Sequence, residues 1–411
     1  MNTQDIKDSK NLNAPSKGNV PALRFPEFTE EWTAETIDEL FELRNGYTPS
    51  KNNLDFWNNG TIPWFRMEDI RLNGGVLKDA IQHITPEAVK GSGLFEPYSI
   101  ILATTATIGE HAMLIADSLA NQQFTNFKIR KSLTYKYNPY YLYYYFFKID
   151  KWCLKNTNAG GLLSVDIPSL KRQKLYSPSV EEQNKIAKLL RLIDDRISIQ
   201  SRIIEKYETL IKGIVDFIFT VNKFPKVPFK EIYVRAGEGG TPATSNHEYY
   251  DNGTIPFIKI DDLQNKYIKT NKDCITELGL QKSSAWIVPA NSIIYSNGAT
   301  IGAISINLFP VCTKQGILGV VPKTKINVEF LYYFMTSTTF AKAVERIVTE
   351  GTMRTAYLKD INHILCPVPC SVKQDEIAKL LSTLSEKLEN EVIFQMKLQK
   401  QKEFLLSQMF I

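Results

Sequence analysis

Apolar side chains recur along this chain in two rhythms. From Glu182 to about Phe219 there is no proline and one glycine, Gly213, while apolar residues fall at Ile186, Leu190, Ile193, Ile197, Ile204, Tyr207, Ile211, Ile214 and Ile218. The steps alternate between four and three, with Gln200 at the one polar position of the series. This is a heptad seam, the 3.5-residue period at which a helix presents one continuous stripe to a partner. At 1.5 Å per residue such a helix is roughly 50 Å long. A second stretch runs from Lys373 to near the C-terminus, with Ile377, Leu381, Leu384 and Leu388 on one face and Val392, Met396, Leu398 and Leu405 continuing less regularly. The two stretches predict partner helices in a coiled coil.

The second rhythm is that of short apolar runs bounded by Gly, Pro and Asn, which predict strands and turns. These runs occur twice. Gly46-Tyr-Thr-Pro-Ser and Trp57-Asn-Asn-Gly-Thr-Ile-Pro-Trp-Phe return as Gly239-Gly-Thr-Pro-Ala and Tyr250-Asp-Asn-Gly-Thr-Ile-Pro-Phe-Ile, 193 positions later. The same offset carries Arg66-Met-Glu-Asp-Ile onto Lys259-Ile-Asp-Asp-Leu and Ala106-Thr-Ile-Gly onto Ala299-Thr-Ile-Gly. Further on, Gln122 matches Gln315, and Tyr141-Leu-Tyr-Tyr-Tyr-Phe matches Phe330-Leu-Tyr-Tyr-Phe-Met. Each copy then closes on a proline, a polar stretch and one of the long helices. Two such large repeats imply a duplicated domain rather than a solenoid, whose units are much shorter.

The predicted fold class is therefore mixed α/β: two duplicated α/β domains separated by two long helices that pair as an antiparallel coiled coil, in a pseudo-two-fold arrangement. The expected boundaries are a flexible N-terminal tail over 1–19, a first domain over 20–181, a long helix over 182–219, a second domain over 220–372 and a second long helix over 373–411. The halves diverge at 72–94 against 265–283, and at 156–164 against 349–357. One frame carrying two sets of loops is what a reader of two different targets needs.

Composition narrows the function. A chain of 411 residues with 43% hydrophobic content buries a sizeable core, and its formal charge of +5 permits nucleic acid as a partner without requiring it. The polar N-terminal stretch has no apolar signal segment, and the longest apolar run, 140–147, is too short to span a bilayer. The expected location is the cytoplasm, with no membrane partner. Five scattered cysteines, Cys153, Cys274, Cys312, Cys366 and Cys370, form neither a disulfide framework nor paired zinc-ligand clusters, so no metal site is expected.

Catalytic signatures are absent as well. No GxxxxGK[ST] loop is present to cradle a nucleotide phosphate. Asn138-Pro139-Tyr140 lacks the second proline of an amino-methyltransferase loop and reads as a helix start. His83, His111, His247 and His363 have no nucleophile or acid at motif spacing and read as surface or loop residues. The repeated acidic pairs Glu68-Asp69 and Asp261-Asp262 read as fold-stabilising hydrogen-bond acceptors rather than metal ligands.

With the repeat in view, the chain from about Val20 onward resembles the specificity subunits of type I restriction-modification systems. The resemblance lies in the opening Leu23-Arg-Phe-Pro-Glu-Phe with Trp32, and in the Gly-x-Thr-Pro and Asn-Gly-Thr-Ile-Pro segments of both halves. It extends to Glu182-Gln183 followed by Ile-Ala-x-Leu-Leu, which the second half opens with Lys373-Gln374 instead. The resemblance implies two target-recognition domains, each reading one half of a split sequence in double-stranded DNA, with the coiled coil setting the spacer. It also implies two methyltransferase subunits that methylate adenine with S-adenosylmethionine. Restriction subunits, bound through that methyltransferase core, would use ATP and Mg²⁺. This chain would itself be non-catalytic and hold no cofactor. The alternative is a stand-alone sequence-specific DNA-binding regulator.

Base edges are read by paired donors and acceptors on Arg, Lys, Asn and Gln, with hydroxyls in support, and phosphates by cations, hydroxyls and backbone amides. The candidates are Arg66, Arg71, Thr104, Thr105, Gln122 and Gln123 in the first half. In the second they are Lys259, Ser296, Asn297, Lys314, Gln315 and Arg354. Arg66 and Lys259 occupy matched positions and suit phosphate or scaffold roles, whereas Asn297, set against Thr104, and Arg354 suit the choice of base.

Overall fold

The computed structural model describes residues 18–158, 163–298, 300–348 and 354–411. The expected tail up to residue 17, the Gly160-Gly161 turn, Ala299 of the repeated Ala-Thr-Ile-Gly segment and residues 349–353 lie outside the described residues. The chain divides into two units, one of residues up to 199 together with 395–411, the other of residues 200–394.

In the first unit the elements are β1 (Thr33–Thr36), α1 (Ile37–Leu40), β2 (Phe41–Asn45), β3 (Ile62–Phe65), α2 (Met67–Asn73), β4 (Val76–Leu77), β5 (Gln82–Ile84), β6 (Ile100–Ala103), β7 (His111–Leu114), β8 (Leu119–Ala120) and β9 (Phe124–Ile129). There follow α3 (Pro139–Lys155), β10 (Thr157–Asn158), β11 (Ser164–Val165), α4 (Ile167–Lys171), β12 (Lys174–Ser177) and the long helix α5 (Val180–Val221). A five-stranded sheet has the order β2-β9-β6-β7-β4, a three-stranded sheet the order β5-β3-β8, and β1 pairs with β12. The β4–β7 and β3–β8 pairs are parallel.

The second unit contains β13 (Lys226–Pro228), β14 (Tyr233–Glu238), β15 (Ile255–Ile258), β16 (Tyr267–Ile268), β17 (Asp273–Ile275), α6 (Glu277–Gln281), β18 (Ile293–Ser296), β19 (Ile304–Asn307), β20 (Cys312–Thr313) and β21 (Ile317–Pro322). It continues through α7 (Val328–Thr336), α8 (Thr338–Glu345), α9 (Leu358–Ile361), β22 (Leu365–Pro367) and α10 (Ser371–Gln408). Three of its sheets repeat those of the first unit in order, β14-β21-β18-β19-β16, β17-β15-β20 and β13-β22, with β16–β19 and β15–β20 parallel, while the first unit's β10–β11 pair has no counterpart among the described residues. The divergent segments 72–94 and 265–283 thus still contribute equivalent strands.

Strand alternation explains the layers, because successive side chains point to opposite faces. Ile100 and Leu102 of β6 join the core built on α3, whereas Ile101 and Ala103 join the core shared with the smaller sheet. Both faces of this strand are buried, so it reads as a continuous apolar run. The aromatic segments are core helices: Tyr141–Phe146 in α3 and Phe330, Leu331, Tyr333 and Phe334 in α7 are all buried. Asn59 and Asn252 adopt φ of 57° and 56°, the left-handed turn conformation that asparagine tolerates, just before the repeated Gly-Thr-Ile-Pro strands.

Each long helix is fixed to its unit by one buried glutamine. Gln183 Oε1 accepts from Asn138 N–H at 3.0 Å, and its Nε2 donates to the carbonyls of Lys136 and Pro178, both at 3.0 Å. Asn138 in turn caps α3 by accepting from the N–H groups of Tyr140 and Tyr141. In the second unit Gln374 accepts from Asn327 N–H at 2.9 Å and donates to Lys325 and Pro369, while Asn327 caps α7. Glu182, the neighbour that becomes Lys373, accepts both Nε and Nη2 of Arg24, at 2.8 and 2.7 Å. Lys373 instead faces solvent beside Glu376.

Within each unit α5 and α10 run antiparallel. Asp194 pairs with Lys402 at 2.6 Å in the first unit. In the second, Gln200 donates to the Glu391 carbonyl and carboxylate, and Val215 and Ile218 share a core with Ile377 and Leu381. Ile186, Leu190, Ile193, Ile377 and Leu381 are buried, while Ile197, Ile204, Ile211, Leu384 and Leu388 are half-buried. Val392 and Met396 are exposed. Among the described residues no helix is long and apolar enough to cross a membrane.

Replacing either clamp leaves buried polar groups without partners, each costing about 1–3 kcal/mol. Gln183→Leu and Gln374→Leu are each expected to lower stability by about 2–4 kcal/mol, measured as a shift in the denaturant midpoint. A surface control such as Lys188→Leu should change it by less than about 0.5 kcal/mol.

Candidate nucleic-acid interface

In both units the sequence-selected residues converge on the turns at one end of the sheets. In the first unit, Asn121 N–H donates to the Phe65 carbonyl just before Arg66, and Thr104 N–H donates to the Gln123 carbonyl. Val165 N–H donates to Thr104, and Thr105 bridges to Ser164. Arg66, Thr104, Thr105, Gln122 and Gln123 are thereby brought together. In the second unit Lys314 N–H donates to Ile258, just before Lys259. Asn297 N–H donates to Gly316, and Ala356 N–H to Asn297. Lys259, Ser296, Asn297, Lys314 and Gln315 therefore group in the equivalent way, with Arg354 two residues from Ala356.

The repeated Gly-x-Thr-Pro segment lies against this cluster. A Cβ on Gly46 would sit 2.2 Å from the Asn121 carbonyl oxygen, and one on Gly239 only 1.9 Å from that of Thr313. Glycine is required because the backbones of segment and turn touch. The following threonine then reaches the turn. Thr48 Oγ1 donates to Gln122 Oε1, and Gln315 N–H donates to Thr241 Oγ1 at 3.3 Å.

The candidates divide by exposure. Gln122, Lys314, Gln315 and Arg354 are exposed, and Lys314 forms no ion pair among the described residues. Arg66 pairs with Glu68 at 3.2 Å, Arg71 with Glu110 at 3.4 Å, Lys259 with Asp273 at 2.9 Å and Arg354 with Glu345 at 2.5 Å. Such solvent-facing pairs are worth about 0–1 kcal/mol, so a phosphate can replace the carboxylate at little cost. Gln123 is half-buried and takes a hydrogen bond from Asn121.

Thr104, Ser296 and Asn297 are buried. Thr104 and Thr125 share a hydroxyl hydrogen bond at 2.9 Å, and Asn297 Nδ2 donates to the Ala356 carbonyl at 3.1 Å. Their side chains shape the turn from inside it.

The acidic pairs serve the fold. Asp69, fully buried, accepts from the N–H groups of Arg66 and Ile81 at 2.7 Å each, and Asp262 accepts from Lys259 N–H at 2.8 Å. Sequence reasoning missed Asn121, Thr48 and Thr241. The signal was available, since the offset of 193 sets Asn121 against Lys314 and Gln123 against Gly316 on one turn.

Known proteins share this organisation. The family model described as type I restriction modification DNA specificity domain matches twice, over residues 29–209 and 227–397. The type I restriction enzyme EcoprrI specificity subunit of Escherichia coli is 41% identical over 183 residues, which is 44% of this chain and 43% of that protein. The MjaIX specificity subunit of Methanocaldococcus jannaschii is 31% identical over 41% of this chain and 40% of its own length. This chain thus matches less than half the length of either relative. The putative MjaX specificity subunit of the same archaeon is 24% identical over 88% of this chain and 89% of its own.

Among solved structures, the S subunit of the type I restriction-modification system from M. genitalium superposes with a TM-score of 0.55 at 17% identity, covering 95% of this chain and 99% of that one. At that identity the likeness shows the fold. With the family model matching both halves over most of the chain, the protein belongs to the type I restriction-modification DNA specificity family.

Proposed function

We propose that each unit reads one half of a bipartite target in double-stranded DNA, and that the chain directs adenine methylation or restriction carried out by partner subunits. The observation that carries this reading is the repeated turn cluster. Its frame is the same in both units, yet it presents Asn121, Gln122 and Gln123 in one and Lys314, Gln315 and Gly316 in the other. Arg66 and Lys259 hold phosphates beside these turns, while Gln122, Gln315, Lys314 and Arg354 meet base edges. Two methyltransferase subunits supply S-adenosylmethionine chemistry, and restriction subunits joined through them use ATP and Mg²⁺. The chain contributes recognition and no catalytic step, and it works in the cytoplasm. Exposed apolar residues on the long helices, among them Leu192, Ile199, Phe217, Leu380 and Phe404, suit the docking of those subunits.

Single-molecule methylome sequencing of a host carrying this gene and its methyltransferase neighbour, with and without the gene itself, tests the reading. One split adenine-methylated motif is expected to vanish on deletion, and exchanging residues 20–180 should alter only one half of it. A methylome indifferent to the deletion would leave a stand-alone DNA-binding regulator as the better account.

The residue roles separate by salt dependence. With the chain bound to its methyltransferase partners, Arg66→Ala and Lys259→Ala should weaken all sequences alike and reduce the slope of log K against log salt by about 0.9 each. Gln315→Ala should instead relax the choice of one base pair, at about 1–3 kcal/mol, measured by competition among duplexes varied one position at a time.

A further inference from the structure

His111 and Asp150 form a buried pair in the first unit that recognition of DNA does not itself call for. His111 opens β7, directly after the turn over 104–110, and is 5% exposed; Asp150, in α3, is 8% exposed. His111 Nδ1 lies 2.5 Å from Asp150 Oδ2, and Nε2 lies 2.9 Å from the Tyr143 carbonyl oxygen. A carbonyl oxygen only accepts, so Nε2 carries a hydrogen. A neutral ring has none left for Nδ1, which would then face an ionised carboxylate lone pair to lone pair. The contact therefore holds one proton more than a neutral imidazole and a carboxylate contain, whether it rides on Nδ1 or on Oδ2.

The surroundings keep that proton in place. Burial raises the Asp150 carboxyl, with the His111 charge and hydrogen bond opposing and Glu110 adding to the rise. Asp150 Oδ1 is buried without a hydrogen-bond partner. The rings of Phe147, Tyr143 and Phe146 stand 4.6, 5.1 and 5.8 Å from the imidazole. Burial pushes the Cys153 thiol up to about 12, and raises the Tyr143 phenol with help from Asp194 of α5 and Asp150, so both stay neutral. Glu110, on the turn, pairs with Arg71 of α2.

The pair fastens the turn that belongs to the candidate interface. Ala103 N–H donates to the Glu110 carbonyl at 2.8 Å, closing the turn immediately before His111, and Thr104 and Ala106 connect it to Val165 and Leu163. At the equivalent place the second unit has Ile304, an apolar core residue.

We propose that His111 and Asp150 are positioning residues whose shared proton seats the β6–β7 turn for reading the first half-site, making that half alone sensitive to pH. This rests on the bipartite reading above. Burial, the largest influence, raises the Asp150 carboxyl, so the contribution of the contact is present at low pH and is lost as pH rises through that raised range.

Asp150→Asn supplies the decisive comparison, because its amide donates to Nδ1 of a neutral His111 while Nε2–H keeps the Tyr143 carbonyl. With the full chain bound to its methyltransferase partners, binding is measured across the pH range in which both proteins stay folded, on intact duplexes and on duplexes altered in one half-site. The wild type is expected to lose about tenfold in discrimination at the first half-site, the factor of one charge-assisted hydrogen bond, and none at the second. Asp150→Asn should give a flat profile. Identical profiles for the two proteins, or equal losses at both half-sites, would overturn the proposal.

Hydrogen-exchange protection of residues 103–112 in the wild type, corrected for intrinsic rates, needs no variant. It should fall as pH rises, and constant protection would overturn the proposal too. Failure to distinguish intact from altered duplexes at every pH would instead sink the bipartite reading, and the proposal with it.

Discussion

The constraint on which each unit's core depends most is the anchoring of its long helix, and at the start of each helix that anchor is a single buried glutamine side chain. Gln183 and Gln374 are each 1% exposed. Each satisfies a backbone N–H that the aromatic helix leaves open at its cap, together with two carbonyls on either side of the joint. A buried amide with all these bonds made has one allowed orientation, so helix start and domain core move as one body. The joint is reinforced by a tyrosine six residues beyond each capping asparagine: Tyr144 donates to Asp194 at 2.7 Å, and Tyr333 shares a hydrogen bond with Ser385 at 2.9 Å.

Around that common anchor the two units differ in how polar groups are buried. The first adds the Arg24 to Glu182 ion pair and the buried His111 to Asp150 contact in its interior. The second has its own, with Lys266 reaching Glu329, Tyr333 and Ser382 and with Thr338 bonding to Asp216 of α5. None of these is shared, although the strand order of the three repeated sheets is the same. The apolar layers, which tolerate substitution by volume, and the glutamine clamps recur in both units, whereas these particular polar contacts, which need matched partners, occur in one unit only.

The same distinction governs the turns of the candidate interface. Glycine at 46 and 239 lets two backbones touch, and that contact requires only the absence of a side chain. The residues presented on the other side of the turn are free to vary, because exposed side chains carry little of the folding energy.

The sequence alone determined the duplication, the mixed α/β class and the two long helices, because repeated glycines, buried apolar alternation and heptad spacing are local and periodic signals. Gln200 was legible as the polar break in the seam, and Asn138 as a helix start. Several things were decided only by tertiary structure. Thr104, Ser296 and Asn297 looked like readers and are buried, since exposure at a turn depends on which neighbouring segment covers it. His111 looked like a surface or loop residue and sits in the core, because its partner Asp150 lies 39 positions away on another element. Glu182 and Lys373 differed without visible cause until Arg24, 158 residues upstream, was found against only one of them. Periodicity reveals what a residue's own element demands; a buried polar contact is set by a partner whose distance along the chain carries no pattern.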